Sequence, residues 1–414
     1  MRPEPGSSLR ILYHHRIAAT DGMRVHIEEI VAALRARGHV VKVVGPDSIS
    51  ARAGHAPSRW EAKADALRRI LPSAIFEVLE LLYNIPVWRR LSREIGLFRP
   101  DILYERYNLF LLAGLYLRHR HRLPMMLEIN APIALERERF GNLRLRRLAR
   151  ACERALWRQS DIVLPVTEVL ARVVRASRGT DAGVHVVPNG ARLDMACAPE
   201  DVEAARAQLG FRSDAVILGF SGFVRTWHGV GWALEALPAL PSNVHLLVVG
   251  DGPARSDLES RAAEIGIGDR VHFTGRVPHD AMPAYMQLFD IALQTASVAY
   301  ASPLKLFEYM ALGRAVVAPD QPNIREVLQN GRNAILFDPA RRESFTAALA
   351  RLCEDASLRA RLGAAARRTV EKVPLTWSHN ATRIEMLARQ LLHGTTATHR
   401  PAGAAPSSSE VPAL

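Results

Sequence analysis

A chain of 414 residues is long enough for two domains of ordinary size. With 48% hydrophobic and 23% charged residues it is neither disordered nor fibrous, and Cys152, Cys197 and Cys353 lack the number and spacing of a disulfide framework or metal module. The net charge of +12 lies wholly in the first half: residues 1–190 hold 31 Lys and Arg against 19 Asp and Glu, and the remainder 23 against 23. That asymmetry fits an anionic partner (membrane surface, lipid phosphate or nucleic acid) or simple solubility charge.

The opening MRPEPGSSLR has no apolar core after its charges, so a signal peptide is not expected. No uncharged apolar run approaches the roughly 18 residues of a spanning helix. The longest, Tyr107 to Leu117, predicts a buried helix. Arg10–Tyr13 predicts a first strand, Asp21-Gly22 a turn, and Val25, Ile27, Ile30, Val31 and Leu34 a helix ended by Gly38. Val40–Val44 is the next strand, and a β-loop-α-β unit argues for a parallel sheet. Residues 66–95 are apolar on one side, arginine-flanked and interrupted at Pro72 and Pro86. They suit a membrane-surface or acceptor-side element, or packing on their own domain, which is narrowly favoured.

Asp101–Tyr104 and Pro124–Ile129 are further strands. Glu128 and Asn130 fall where the second ends, and in parallel sheets ligands bind outside the carboxyl ends. Leu143–Arg158 predicts a helix with Arg147, Arg150, Arg154 and Arg158 in one stripe and Leu145, Leu148, Cys152 and Leu156 on an apolar face. The stripe is equally an anionic-lipid contact or a solvated face. Asp161–Val166 is a strand, and Asn189-Gly190 a tight turn.

Ala215–Ser221 predicts a strand, followed by a loop with Gly222, Arg225 and His228 and a helix from Val230. Val244–Val249 leads through Gly250-Asp-Gly-Pro253 into another helix. A dinucleotide fingerprint would need a third glycine where Arg255 stands and an acidic residue after Val271–Thr274, and both are missing. Met282–Ala292 gives a helix and a strand. Then comes YASPLKLFEYMALGRAVVAP, Tyr300 to Pro319. Ser302 and Pro303 predict a helix start, with the hydroxyl as cap and the proline in the first turn. Leu304, Phe307, Met310 and Ala311 predict its buried face, Gly313 its end, and Ala315–Ala318 a buried strand. Lys305 adds positive charge at a helix N-terminus, where anions bind, and Glu308 can accept hydrogen bonds from sugar hydroxyls. On this stretch alone, a solvated i,i+3 ion pair is the favoured reading of the two. Glu343 onward and Thr376–Leu392 predict helices, and the Thr-, Ala-, Pro- and Ser-rich run from Thr395 a disordered tail.

The pattern SPxKxFEYMAxGxxVVA resembles the nucleotide-sugar signature of retaining GT-B glycosyltransferases of family 4, and the EINAP run at 128–132 resembles an exopolysaccharide-type subset. The resemblance implies an α/β fold of two Rossmann-like, doubly wound domains facing an inter-domain cleft. The expected boundaries are 1–190 for an acceptor-side domain joined by a returning helix 376–394, 191–375 for a nucleotide-sugar domain, and 395–414 for the tail. It implies catalytic roles for Arg225, His228, Lys305 and Glu308, with His228 where relatives have lysine and able to donate a hydrogen bond when neutral or supply charge when protonated. Donor contacts are implied at Gly22, Met23, Gly222, Gly275, Arg276, Val277, Tyr300, Ser302, Pro303 and Leu304. Relatives often carry a glutamate where Tyr300 stands and a histidine near residue 130, so the sugar contact falls to Glu128 or Asn130. No metal or cofactor is expected beyond the UDP- or GDP-linked donor substrate. The expected partners are that nucleotide sugar, a saccharide or lipid-linked saccharide acceptor and an anionic membrane surface met by the first domain. The expected location is cytoplasmic or peripheral at the inner face of the membrane. The competing classes are an NAD-dependent oxidoreductase and a basic nucleic-acid-binding protein. The latter is disfavoured because the stripe lacks interleaved aromatics.

Overall fold

The computed structural model describes residues 7–17, 22–46 and 73–394, apart from 142, 196, 279 and 374. Asp21, Pro72, the early part of the apolar segment and the tail from Thr395 lie outside these residues. The chain divides into two compact units, one of residues 1–188 and 381–414, the other Asn189–Asn380.

In the first unit five strands form one parallel sheet: β1 (Arg10–His14), β2 (Val40–Val44), β3 (Ile102–Arg106), β4 (Met125–Ile129) and β5 (Ile162–Pro165), in spatial order β2-β1-β3-β4-β5. The helix Gly22–Ala36 connects β1 to β2 and buries Ile27, Ile30, Val31 and Leu34, as the spacing predicts, with His26 added. Gly38 ends it at φ +85°, a left-handed conformation that glycine adopts without a Cβ clash. The last helix, Trp377–Gly394, places Glu385 against Arg37 and buried His39.

Three expectations for this unit are corrected. Tyr107–Leu117 is not one helix: the helix is Ala113–His121. Phe110 has φ +65°, and the Asn84 side chain accepts the Leu112 and Ala113 N–H groups while donating to the Phe110 carbonyl. That side chain fixes the start of the helix as a cap from another element. The apolar segment is two helices, Ser73–Leu82 and Asn84–Phe98, separated at Tyr83, with Pro86 tolerated in the first turn of the second. Val87, Leu91 and Ile95 are buried, whereas Ile75, Val78, Leu79, Leu82, Ile85 and Trp88 remain exposed. In the basic helix, Arg146–Gln159, Leu148 is exposed and the buried face is Ala149, Cys152, Glu153, Leu156 and Trp157. One residue on from Arg147, and so about a quarter-turn around the helix, Leu148 stands at the border between the stripe and the buried face. The stripe is partly spent internally: Arg150 pairs with Glu138, and Arg158 donates to the Ser177 carbonyl.

The second unit has six parallel strands: β6 (Val216–Ser221), β7 (Val244–Val249), β8 (Val271–Gly275), β9 (Ile291–Leu293), β10 (Ala315–Pro319) and β11 (Ile335–Phe337), in spatial order β11-β10-β9-β6-β7-β8. Successive residues feed opposite cores. Leu218, Phe220, Leu246 and Val248 join one cluster; Ile217, Leu247, Val249 and Ala292 join the other. Both faces are therefore covered, which is why these strands read as continuous apolar runs.

Candidate functional site

Strand order reverses between β6 and β9. The segment after β6 continues to β7 on one side of the sheet, and the segment after β9 continues to β10 on the other. At such a switch point two connections diverge and leave a crevice outside the carboxyl ends. The loop after β6 carries Gly222, Arg225 and His228; the helix after β9, Leu304–Ala311, carries Lys305 and Glu308. Sequence distance of some 80 residues thus becomes spatial adjacency.

Lys305 reaches back over β6. Its Nζ lies 3.5 Å from the centroid of the Phe220 ring, and a Cβ on Gly222 would stand 3.4 Å from Nζ. Gly222 has φ +120°, so the turn favours glycine there, while a Cβ would meet the lysine only in ordinary van der Waals contact. Burial lowers the Lys305 pKa to about 7, against the opposing pull of Glu308 one turn on. The ammonium gives up water for one aromatic face, a compensation of about 2 kcal/mol when desolvated. A desolvated cation of this kind gains strongly from an arriving anion.

His228 closes a short turn, Thr226–His228, and its backbone carbonyl accepts the Thr295 hydroxyl at the end of β9. Its Nδ1 lies 2.6 Å from the Phe223 carbonyl oxygen. A carbonyl only accepts, so Nδ1 carries the proton. Burial, then Lys305 and Arg225, lower its pKa to about 4, with the Phe223 bond opposing. The neutral ring therefore spends its one N–H inward, which corrects the expectation that a neutral His228 donates to a ligand. Arg225 lies between two exposed aromatics, its guanidinium 4.8 Å from the Phe223 ring centroid and 5.0 Å from that of Trp227.

Tyr309, unremarked in the sequence, couples the two cationic elements. Its hydroxyl accepts the Ser221 N–H at 2.8 Å and lies 3.0 Å from Ser221 Oγ, pinning the end of β6 to the lysine helix. Ser302 is not the cap of that helix: Pro303 occupies the cap position, and the Ser302 hydroxyl accepts the Asn189 N–H. Leu304 is half-buried, and Leu306 and Tyr309 take places on the buried face. Tyr300 is buried just before this helix.

The GxG after β7 has a packing reason. A Cβ on Gly250 would come 2.1 Å from the Gly222 carbonyl oxygen, and one on Gly252 would come 2.2 Å from that of Val224. The two loops touch backbone to backbone. Arg255, at the fingerprint's third-glycine position, lies 5.6 Å from the Phe273 ring centroid and pairs with Glu259. The glycines that suggested a dinucleotide thus hold the Arg225 loop in place. Gly275 ends β8 at φ +70°, followed by exposed Arg276 and half-buried Val277.

The remaining predicted residues belong to the first unit. Gly22 and Met23 form the first turn of the helix after β1. Glu128, at the end of β4, is buried and fully engaged. Arg106 Nη1 and Asn130 Nδ2 lie 2.5 and 2.6 Å from Oε1; His26 Nε2 and the Tyr104 hydroxyl lie 2.9 and 3.1 Å from Oε2. Burial alone would raise its pKa, but His26 and Arg106 hold it well below the usual carboxylate range. Arg106, Asn130 and the Tyr104 hydroxyl donate hydrogen bonds to the carboxylate, and His26 Nε2 stands at ion-pair distance. The clustered partners Arg106, His26 and Tyr104 were missed in the sequence. Arg106, directly after a buried strand sequence, was the available signal. Beside them His14 and Glu105, registered partners on β1 and β3, form a buried pair at 2.6 Å, at this sheet's own reversal of strand order.

A family profile described as Glycosyltransferase Family 4 matches residues 20–195, and one described as Glycosyl transferases group 1 matches residues 201–369. A 2-deoxystreptamine glucosyltransferase of Streptomyces kanamyceticus is 37% identical over 154 residues, 35% of this chain and 39% of that protein, so the match spans less than half of the relative's length. A D-inositol 3-phosphate glycosyltransferase of Jonesia denitrificans is 23% identical over 89% of this chain and 90% of its own. Among solved structures, Anabaena HepE in complex with UDP and glucose superposes with a TM-score of 0.70 at 17% identity, covering 92% of this chain and 100% of that one. The two profiles, the two doubly wound sheets and the lysine–arginine–histidine cluster agree: the chain belongs to the group 1, family 4 glycosyltransferases and has the GT-B fold.

Proposed function

We propose that the protein is a retaining glycosyltransferase that moves a sugar from a nucleoside-diphosphate sugar to a saccharide or lipid-linked saccharide acceptor, in bacterial surface-polysaccharide assembly. The observation that carries this reading is the convergence of Lys305, Arg225 and His228 at the switch point of the second sheet. Cations placed there meet the charge that develops on the diphosphate as the glycosidic bond breaks, which is where electrostatic stabilisation accelerates transfer. In this reading Lys305 and Arg225 hold the two phosphates, Glu308 accepts hydroxyls of the nucleotide ribose, and Gly275–Val277 present backbone to the base. The departing diphosphate leaves on the face that the acceptor attacks, through an oxocarbenium-like state, so the product keeps the donor's anomeric configuration. No metal enters this scheme, because side-chain cations take that role.

Because Glu128 is buried and held by Arg106, Tyr104, His26 and Asn130, we assign it to positioning, and the sugar contact to its half-buried neighbour Asn130. A peripheral place at the inner face of the membrane is part of the proposal. Its support is the positive first half of the chain and the exposed Ile75, Val78, Leu79, Leu82, Ile85 and Trp88. Among the described residues no helix is long and apolar enough to cross a membrane.

The test is hydrolysis of donor in the absence of acceptor, with UDP-glucose, GDP-mannose and ADP-glucose, followed by NMR of the freshly released sugar. An α-sugar released from one donor, with turnover lost in Lys305→Ala and Arg225→Ala, is the expected result. A β-sugar would contradict retention, and release unaffected by both substitutions would contradict the site.

A further inference from the structure

The hydrogen bond between His228 Nδ1 and the Phe223 carbonyl has a consequence for how this site takes its donor. We propose that His228 engages the donor's diphosphate only as an imidazolium, so that seating a nucleotide sugar draws one proton from solvent onto Nε2. The inference rests on the nucleotide-sugar reading and adds the protonation state to it.

With the Nδ1 proton committed to a carbonyl, neutral Nε2 presents a lone pair. A phosphate oxygen also presents lone pairs, so the neutral ring and the diphosphate can only repel. Protonating Nε2 converts the contact into a charge-assisted donor. Before the donor arrives, the surroundings oppose that proton. Burial opposes it most, and Lys305 on the helix after β9 and Arg225 on the same turn are cationic neighbours that add to the effect. The Phe220 ring of β6 lies 5.9 Å from the imidazole, centroid to centroid, and that of Trp227 6.1 Å, and neither ring carries a full charge. The Thr295 hydroxyl at the end of β9 is spent on the His228 carbonyl. Two negative phosphates reverse the balance at once. The proton comes from water or buffer on binding and returns there when the nucleoside diphosphate leaves. The empty site is thus spared the further positive charge that a lysine at this position would set beside Arg225 and Lys305.

The experiment is titration calorimetry of the full chain with UDP-glucose, GDP-mannose and ADP-glucose at about pH 6, in two buffers of different ionisation enthalpy. At this pH Lys305, with a pKa of about 7, is already mostly charged, whereas His228, at about 4, is neutral. A diphosphate diester does not titrate there, so buffer-dependent heat reports the protein. The expected result is uptake of nearly one proton with the donor that binds, and affinity falling up to about tenfold per pH unit above this point. His228→Lys should bind with buffer-independent heat, and His228→Gln should bind more weakly and without uptake. Donor binding by the unsubstituted protein with buffer-independent heat would overturn the proposal, as would uptake surviving in His228→Gln, which would assign the proton to another group. Absence of binding by all three nucleotide sugars would overturn the nucleotide-sugar reading itself, and the inference with it.

Discussion

The site is governed by how individual charges are desolvated. Lys305 titrates at about 7 in the fold, well below its value of 10.5 in an open chain, because its ammonium is buried. Between those values the unfolded chain binds more protons, so folding becomes more favourable as pH rises through that window. Below it, the full burden of the buried ammonium remains. Lys305→Met should therefore raise the Tm of the unliganded protein at about pH 6, with the gain shrinking as pH rises above 7, while nucleotide stabilisation disappears. A variant less stable than the parent at pH 6 would mean that the lysine contributes to the fold rather than straining it. Glu128 is the opposite case: its charge is over-supported. Glu128→Gln would leave Arg106 buried without its counterion, and urea unfolding should show a loss of about 3–5 kcal/mol. A loss under 1 kcal/mol would show that the cluster rearranges around a neutral amide.

Between elements, the decisive contacts are backbone to backbone. Gly250 meets the Gly222 carbonyl and has φ +140°, so Gly250→Ala should displace the Arg225 loop and weaken nucleotide binding even where the protein still folds. Tyr309→Phe removes the acceptor for the buried Ser221 N–H, at about 1–3 kcal/mol in chemical denaturation. These contacts also mark what was legible in the sequence. Strands β6 to β10 and the lysine helix could be read because apolar runs and a terminal glycine report local periodicity. The partners could not be. Tyr309 reads as one more apolar helix position, and nothing local says that its hydroxyl meets Ser221. The Ser302 hydroxyl satisfies the local rule for a cap, yet the Asn189 N–H, more than a hundred residues away in sequence, takes it. Likewise the helix over Tyr107–Leu117 fails at Phe110 because Asn84, on another helix, supplies the cap. The lysine, arginine and histidine could be named from their motif. Their neutral or charged state required the fold, since burial and mutual repulsion set it.

In the whole molecule, each unit is a parallel sheet whose strand order reverses once, and each reversal gathers the polar residues of its unit. In the first, His14, Glu105, Arg106 and Glu128 end neighbouring strands; in the second, Lys305, Arg225 and His228 stand outside β6 and β9. The excess positive charge belongs entirely to residues 1–190 and the balanced half holds the proposed donor site. Vesicles containing anionic phospholipid should therefore retain the protein at low salt and release it at high salt, and replacing Leu82 and Trp88 by serine should reduce retention at low salt. Equal retention on neutral vesicles would remove charge from the account. The most direct test of the central claim is thermal unfolding of the purified protein with UDP, GDP, ADP, NAD or no ligand, repeated with Lys305→Ala and Glu308→Ala. One nucleoside diphosphate should raise Tm, by mass action on the folded state, and the rise should vanish in both variants. A rise with NAD alone, or none with any diphosphate, would contradict the assignment of this cluster to a nucleotide sugar.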